Sequence, residues 1–190
     1  MKRKSFTLIE ILGVMAIIAI LATLGFAGYS YANNKAKETA TEGLIARLNA
    51  AFEMAQQKSG FTPPAKDFTV IVIDTDNQKI TVNDGSSDKS YPGSETGREK
   101  KMYTEFYKTF VKTLEMDTMS RFLENGKVID AWGNPIYFCY PGKLKKGGFD
   151  LISAGSNGTF GNSEKETPSS TSIDDYRSEG EWICDDIANF

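Results

Sequence analysis

The sequence predicts an α+β fold. A long N-terminal α-helix, membrane-spanning in its first half and amphipathic in its second, packs on a small antiparallel β-sheet, with an extra helix and a long C-terminal loop added. Three observations carry this. A basic start leads into an uncharged apolar run from Ile11 to Ala27. Apolar residues then recur every three or four positions up to Ser59-Gly60 and Pro63-Pro64. Short β-branched segments bounded by turn residues fill much of the remainder.

Composition bounds the function classes. With 25% charged and 40% apolar residues, the body of the chain folds rather than forming a disordered tail. A net charge of -3 gives no electrostatic footprint for nucleic acid. The chain has no histidine, which removes Ser-His-Asp and Cys-His chemistry, His-ligated zinc and the commonest general base. No nucleophile–base pair can be named, so the chain reads as a non-enzyme. Cys139 and Cys184 stand far apart without CxxC spacing, leaving a disulfide or two buried thiols.

Lys2, Arg3 and Lys4 precede Phe6-Thr7-Leu8-Ile9-Glu10 and the apolar run. At 1.5 Å per residue, Phe6 to Tyr29 spans about 36 Å, enough to cross a hydrocarbon core of about 30 Å. The basic residues favour a cytoplasmic N-terminus. A secretory signal peptide cut after Gly25-Phe26-Ala27 and a plain membrane anchor are the competing readings. Neither explains Glu10, since a carboxylate costs about 2.5–3.5 kcal/mol at the bilayer centre. An acid in a helix without its own cation points to a partner on another molecule.

Lys-Arg-Lys-Ser followed by Phe6-Thr-Leu-Ile-Glu10 resembles the class III leader and mature start of type IV pilins and pseudopilins. The resemblance implies cleavage between Ser5 and Phe6 by a prepilin peptidase, N-methylation of Phe6, and pairing of Glu10 with the N-terminal amine of a neighbouring subunit. Ser5 stands where the family usually has Gly, and Ala27 near where it often has Pro. On this reading residues 1–5 are the leader, 6–29 the transmembrane and assembly half of the helix, 30–58 its amphipathic half, and 59–190 the head.

The amphipathic half shows a stripe of Ala36, Ala40, Leu44, Leu48, Ala51/Phe52 and Ala55. In the head, 68–73 and 79–82 read as a hairpin turned by Asp74 to Asn77. An EF-hand at Asp74 is excluded, because Lys79 stands where the loop needs Gly. Residues 84–97 read as a surface loop and Glu99 to Leu123 as the extra helix, closed by Asn125-Gly126. Together 84–125 form a variable insert.

Asp130-Ala131-Trp132-Gly133-Asn134-Pro135 resembles the D-x-W-G-N-P segment of major pseudopilins, with Gly-Asn-Pro as a tight turn and Trp132 as an anchor for the long helix. Antiparallel strands at 136–140 and 149–153 follow. Residues 153–159 and the pair Asp185-Asp186 resemble the calcium loop of that family. The resemblance implies side-chain ligands Asn157, Asp185 and Asp186 with carbonyls of Ala154 and Thr159, Asn157 replacing the usual Asp. Calcium takes six to eight oxygens, so the donor types suit it. A solvated acidic loop without metal is the bland alternative. A Cys139–Cys184 disulfide would fasten the acidic loop to the sheet, closing a loop worth roughly 4 kcal/mol in the chain-entropy model.

The resemblance implies a homopolymeric subunit of a type II secretion pseudopilus. Such a subunit is an inner-membrane precursor with a periplasmic head. It is assembled into a periplasmic filament by an inner-membrane secretion platform together with minor pseudopilins. A type IV pilus pilin or a minor pseudopilin is the alternative within the family. A membrane-anchored calcium-binding domain without a filament is the alternative outside it.

Overall fold

A computed structural model describes residues 8–83, 87–145, 147–160, 177–178, 181–182 and 187–189. The chain divides into two units, residues 1–37 and 38–190. Helix α1 runs from Leu8 to Ser59, a stretch without proline. It stops as its sequence requires. Gly60 takes a left-handed φ of 70° and donates its N–H to the Gln56 carbonyl at 2.7 Å, while the Ser59 hydroxyl caps the Ala55 carbonyl.

In the first unit, the described side chains from Leu8 to Ala36 are all exposed. In the second, Leu44, Ile45, Leu48, Ala51, Phe52 and Ala55 of α1 are buried in the head core. This is the predicted stripe from Leu44 onward. Ala40 packs at its margin, and Ala36 lies outside it.

Two antiparallel sheets build the head. The four-stranded sheet has the order β1 (Ala65–Val70), β7 (Tyr137–Tyr140), β8 (Asp150–Ser153), β11 (Ile187–Ala188). The five-stranded sheet has the order β4 (Asp88–Tyr91), β3 (Lys79–Asn83), β2 (Val72–Asp74), β6 (Lys127–Val128), β5 (Leu123–Glu124). A small pair, β9 (Arg177–Ser178) and β10 (Glu181–Trp182), completes the set. The predicted 68–73 strand is shared between both sheets, with buried Ile71 at the transfer.

The β2–β3 hairpin forms as predicted. Asp74 accepts the Asn77 backbone and side-chain N–H groups at 2.9 and 2.8 Å, which holds its carboxyl below the ordinary carboxylate range. That commitment closes a turn.

The 84–125 insert differs from expectation in three places. Residues 88–91 form β4 on β3, a polar edge strand whose Asp88 and Lys89 are exposed, so no apolar alternation marks it. The long helix divides. Helix α2 covers Gly97–Leu114, Glu115 turns left-handed at φ 51°, and α3 (Met116–Met119) and a 3-10 turn (Ser120–Phe122) follow. Asn125-Gly126 turns the β5–β6 hairpin, with φ of 51° and 78°, instead of ending a helix. A Cβ on Gly126 would lie 2.8 Å from the Ile73 carbonyl oxygen, so glycine is required there.

Phe52 of α1 is the centre of the core. Its ring stacks on Phe138 at 4.5 Å and meets Phe110 of α2 at 4.7 Å and Phe149 at 5.1 Å. Helix, sheet and insert therefore share one aromatic cluster.

Candidate functional site

The N-terminal unit offers an apolar cylinder. Ile11, Leu12, Val14, Met15, Ile17, Ile18, Ile20 and Leu21 are each more than half exposed. A helix that is apolar all round belongs in lipid or among other apolar helices. The one hydroxyl in the run, that of Thr23, donates to the Ile20 carbonyl at 2.8 Å and so needs no water. Tyr29 and Tyr31, 71% and 75% exposed, stand just beyond the run, where aromatic residues suit a membrane–water boundary. Glu10 sits in the first turn of α1, where the helix dipole favours an acid, and is exposed. Ser5 and Phe6 lie outside the described residues.

In the head, the Asp130–Pro135 segment is folded around one buried carboxylate. Asp130 is 2% exposed, and its Oδ1 accepts the N–H groups of Trp132 and Asn134, both at 2.8 Å. Oδ2 accepts the Ser153 hydroxyl at 2.7 Å. Ser153 Oγ in turn accepts the Gly155 N–H at 3.1 Å, and Asn134 Nδ2 donates to the Gly155 carbonyl at 2.8 Å. Two bonds thus tie the turn to the 153–159 segment, and a third, within that segment, braces Ser153. Ala131 N–H also reaches the Thr41 hydroxyl on α1 at 3.2 Å.

Trp132 departs from expectation. It is half-buried and outside the core clusters, and its buried indole N–H has no hydrogen-bond partner among the described residues. Ala131 links this segment to α1 through its N–H and packs against the core that α1 helps form.

Of the predicted calcium ligands, Ala154, Asn157 and Thr159 are described. Asn157 Oδ1 accepts the Thr159 N–H at 2.7 Å and its hydroxyl at 3.1 Å, an Asx-type turn. Gly155 and Gly158 take φ of 62° and 74°, which bends this stretch into a tight loop. Asp185 and Asp186 lie outside the described residues. Ile187, the residue after them in sequence, is the Cα partner of Ser153, the residue before Ala154. Among the described residues no group of three or more acidic or cysteine side chains could hold a metal. The described members of the set supply neutral oxygens only.

Two anchoring residues gave no sequence signal. Asp150 is fully buried and accepts the N–H groups of Lys143, Leu144 and Lys145 at 2.7–2.8 Å. Asn189 accepts the Leu151 N–H at 2.8 Å and donates to Asn49 of α1 at 2.9 Å. It pins the chain end to both sheet and helix. Asp and Asn near glycines read equally well as solvated loop residues, and only their burial separates the cases.

Cys139 is a free, fully buried thiol whose sulfur donates to the Ala65 carbonyl at 3.3 Å. Burial, then the nearby Asp150 carboxylate, pushes the thiol up to about 11. Its predicted partner Cys184 lies outside the described residues. At pH 8 the thiolate fraction of Cys139 is about 100-fold below that of an ordinary thiol, before steric exclusion. Native protein is therefore expected to resist alkylation at Cys139. After denaturation without reductant, incorporation of two labels confirms free thiols, and none would establish a disulfide.

Residues 1–26 match the family described as the prokaryotic N-terminal methylation motif. No curated protein and no solved structure matches the chain.

Proposed function

We propose that this chain, a type IV pilin-like protein by the methylation motif at residues 1–26 and by a long N-terminal helix followed by antiparallel sheets, is the major pseudopilin of a type II secretion system. The motif marks a structural family rather than an enzymatic one, whose members are processed by a prepilin peptidase and polymerise. The observation that carries a filament subunit is the exposed apolar surface of the first part of α1, continuous in sequence with the processing motif. Exposed apolar area of that extent requires lipid before assembly and like helices after it.

On this reading the precursor is held in the inner membrane by residues 6–29, with the head in the periplasm. Cleavage between Ser5 and Phe6 frees an amine, and Glu10 of the incoming subunit pairs with the Phe6 amine of its neighbour. Pairing with that amine offsets the cost of holding the acid in lipid, which gives each added subunit one register. The secretion platform and minor pseudopilins are the partners, and filament growth moves exported proteins outward.

Two resemblances favour the major pseudopilin over a pilus pilin: the Asp130–Pro135 segment and the terminal Asp185-Asp186 pair. The bonds from Asp130 and Asn134 to Ser153 and Gly155 support a role for that segment in shaping the 153–159 loop. Calcium is proposed there, held by Asn157, the carbonyls of Ala154 and Thr159, and the carboxylates of Asp185 and Asp186. When bound, it would cross-link the 153–159 loop to the residues that precede β11 in sequence.

The test is the intact mass and N-terminal sequence of the protein from native membranes. A start at N-methylated Phe6 is expected, whereas a start at Met1 or Gly28 would overturn the filament reading. For calcium, chelation is expected to lower the thermal midpoint by several degrees, with recovery on adding calcium but not magnesium. An unchanged midpoint and no calcium in the purified protein by elemental analysis would remove the metal from the proposal.

A further inference from the structure

Helix α2 carries charge that the head does not use. It has five basic residues, Arg98, Lys100, Lys101, Lys108 and Lys112, against Glu99 and Glu105. Lys58 of α1 takes Glu105 at 3.5 Å. All five basic residues are exposed, and among the described residues none makes an ion pair. The buried face of α2 is Phe106, Tyr107, Phe110 and Leu114. At 100° per residue, Lys101, Lys108 and Lys112 fall within about 40° of one another on the opposite side. Lys100, Lys101 and Lys108, with Gly97, Thr104 and the Lys58-paired Glu105, line an open groove of about 690 Å³.

The complementary charge is in the same chain. Residues 161–186 hold eight acidic residues against Lys165 and Arg177. The described residues that flank this segment, Phe160 and Ile187, belong to the β8 side of the four-stranded sheet. Helix α2 contacts β4, the outer edge of the other sheet. A subunit with a basic face at one site and an acidic segment rooted at another is self-complementary between copies. Such a contact is heterologous, the kind that propagates as an open helical array rather than closing into a dimer.

We infer that the basic face of α2 docks the acidic segment 161–186 of a neighbouring copy, a second contact between heads alongside the one between helices. This rests on the filament reading. The contact is exposed and ionic, so it weakens as the Debye length falls from about 10 Å at 0.1 M salt to about 3 Å at 1 M. It sets the order and salt tolerance of the filament, while the apolar helices supply most of its cohesion.

The experiment uses the processed protein, cleaved between Ser5 and Phe6, made half with natural nitrogen and half with nitrogen-15, mixed before assembly, then treated with a zero-length carbodiimide. Filaments are scored first by electron microscopy. Cross-linked peptides joining Lys101, Lys108 or Lys112 to Asp174, Asp175 or Glu179 are then expected with mixed isotope labels. They should fall at least fivefold between 0.1 and 1 M salt. In Lys101→Glu/Lys108→Glu they should be lost, and they should return, now from the reversed pair, when Asp174→Lys/Asp175→Lys is added. Absence of filaments would overturn the filament reading and this inference with it. Filaments with only same-label cross-links, or with none, would overturn the inference alone. Cross-links replaced by protection of these lysines on anionic phospholipid vesicles would assign the face to lipid instead.

Discussion

Phe52→Ala is expected to destabilise the head by about 3–5 kcal/mol, the range for deleting a fully buried aromatic side chain. The ring is completely buried and lies within 6.1 Å, centroid to centroid, of four others, from α2 (Phe106, Phe110) and from the four-stranded sheet region (Phe138, Phe149). Its removal leaves a cavity lined by α2 on one side and by the four-stranded sheet region on the other. A domain of this size holds about 5–15 kcal/mol in total, so the loss is a large fraction. Urea denaturation of the full chain in detergent measures it. With a slope of about 2 kcal/mol/M the midpoint falls by about 2 M. Phe52→Leu keeps most of the volume and should cost less than half as much. A loss under 1 kcal/mol for the alanine variant would mean that the cluster collapses around the gap and that Phe52 is not its keystone.

Asp130→Ala carries the second large effect, for a different reason. One carboxylate closes the 130–135 turn through the Trp132 and Asn134 N–H groups and holds Ser153 at the mouth of the candidate calcium loop. Truncation leaves two backbone donors and one hydroxyl unsatisfied in a buried site, at about 1–3 kcal/mol each before water enters. A net loss of about 3 kcal/mol is expected. Amide exchange should accelerate at Trp132, Asn134 and Gly155 ahead of the β2–β3 hairpin. Asp130→Asn separates charge from geometry. Its carbonyl can accept both backbone donors and its amide can donate to Ser153 Oγ, so about 1 kcal/mol is expected. If Asn proves as damaging as Ala, the negative charge, not the hydrogen-bond pattern, is what the turn requires.

The membrane-compatible helix, its processing motif and its stop at Ser59-Gly60 were legible because each rests on nearby residues. Apolar length, a basic flank and a glycine able to adopt positive φ are local properties. The α1 stripe and the β2–β3 hairpin were legible for the same reason, since period and turn chemistry are written within a few positions.

The insert was read less well because its features are relational. Strand β4 is polar and exists through its pairing with β3, which no periodicity announces. Asn125-Gly126 fits a helix stop or a hairpin turn equally, and the close approach of the Ile73 carbonyl decides for the hairpin. Trp132 looked like an anchor by size, yet the small Ala131 and the buried Asp130 make the connections.

By itself, then, the sequence determined that this chain carries a leader-like start, an apolar helix and a mixed α+β head. Those follow from the order and spacing of residues along one segment at a time. Only the tertiary structure decided which polar residues organise the head. Asp130, Asp150 and Asn189 owe their importance to burial beside backbone groups as far off as Leu151 and to side chains as distant as Asn49. The strength of a hydrogen bond depends on the water excluded around it, and that exclusion exists only once the distant parts of the chain have met.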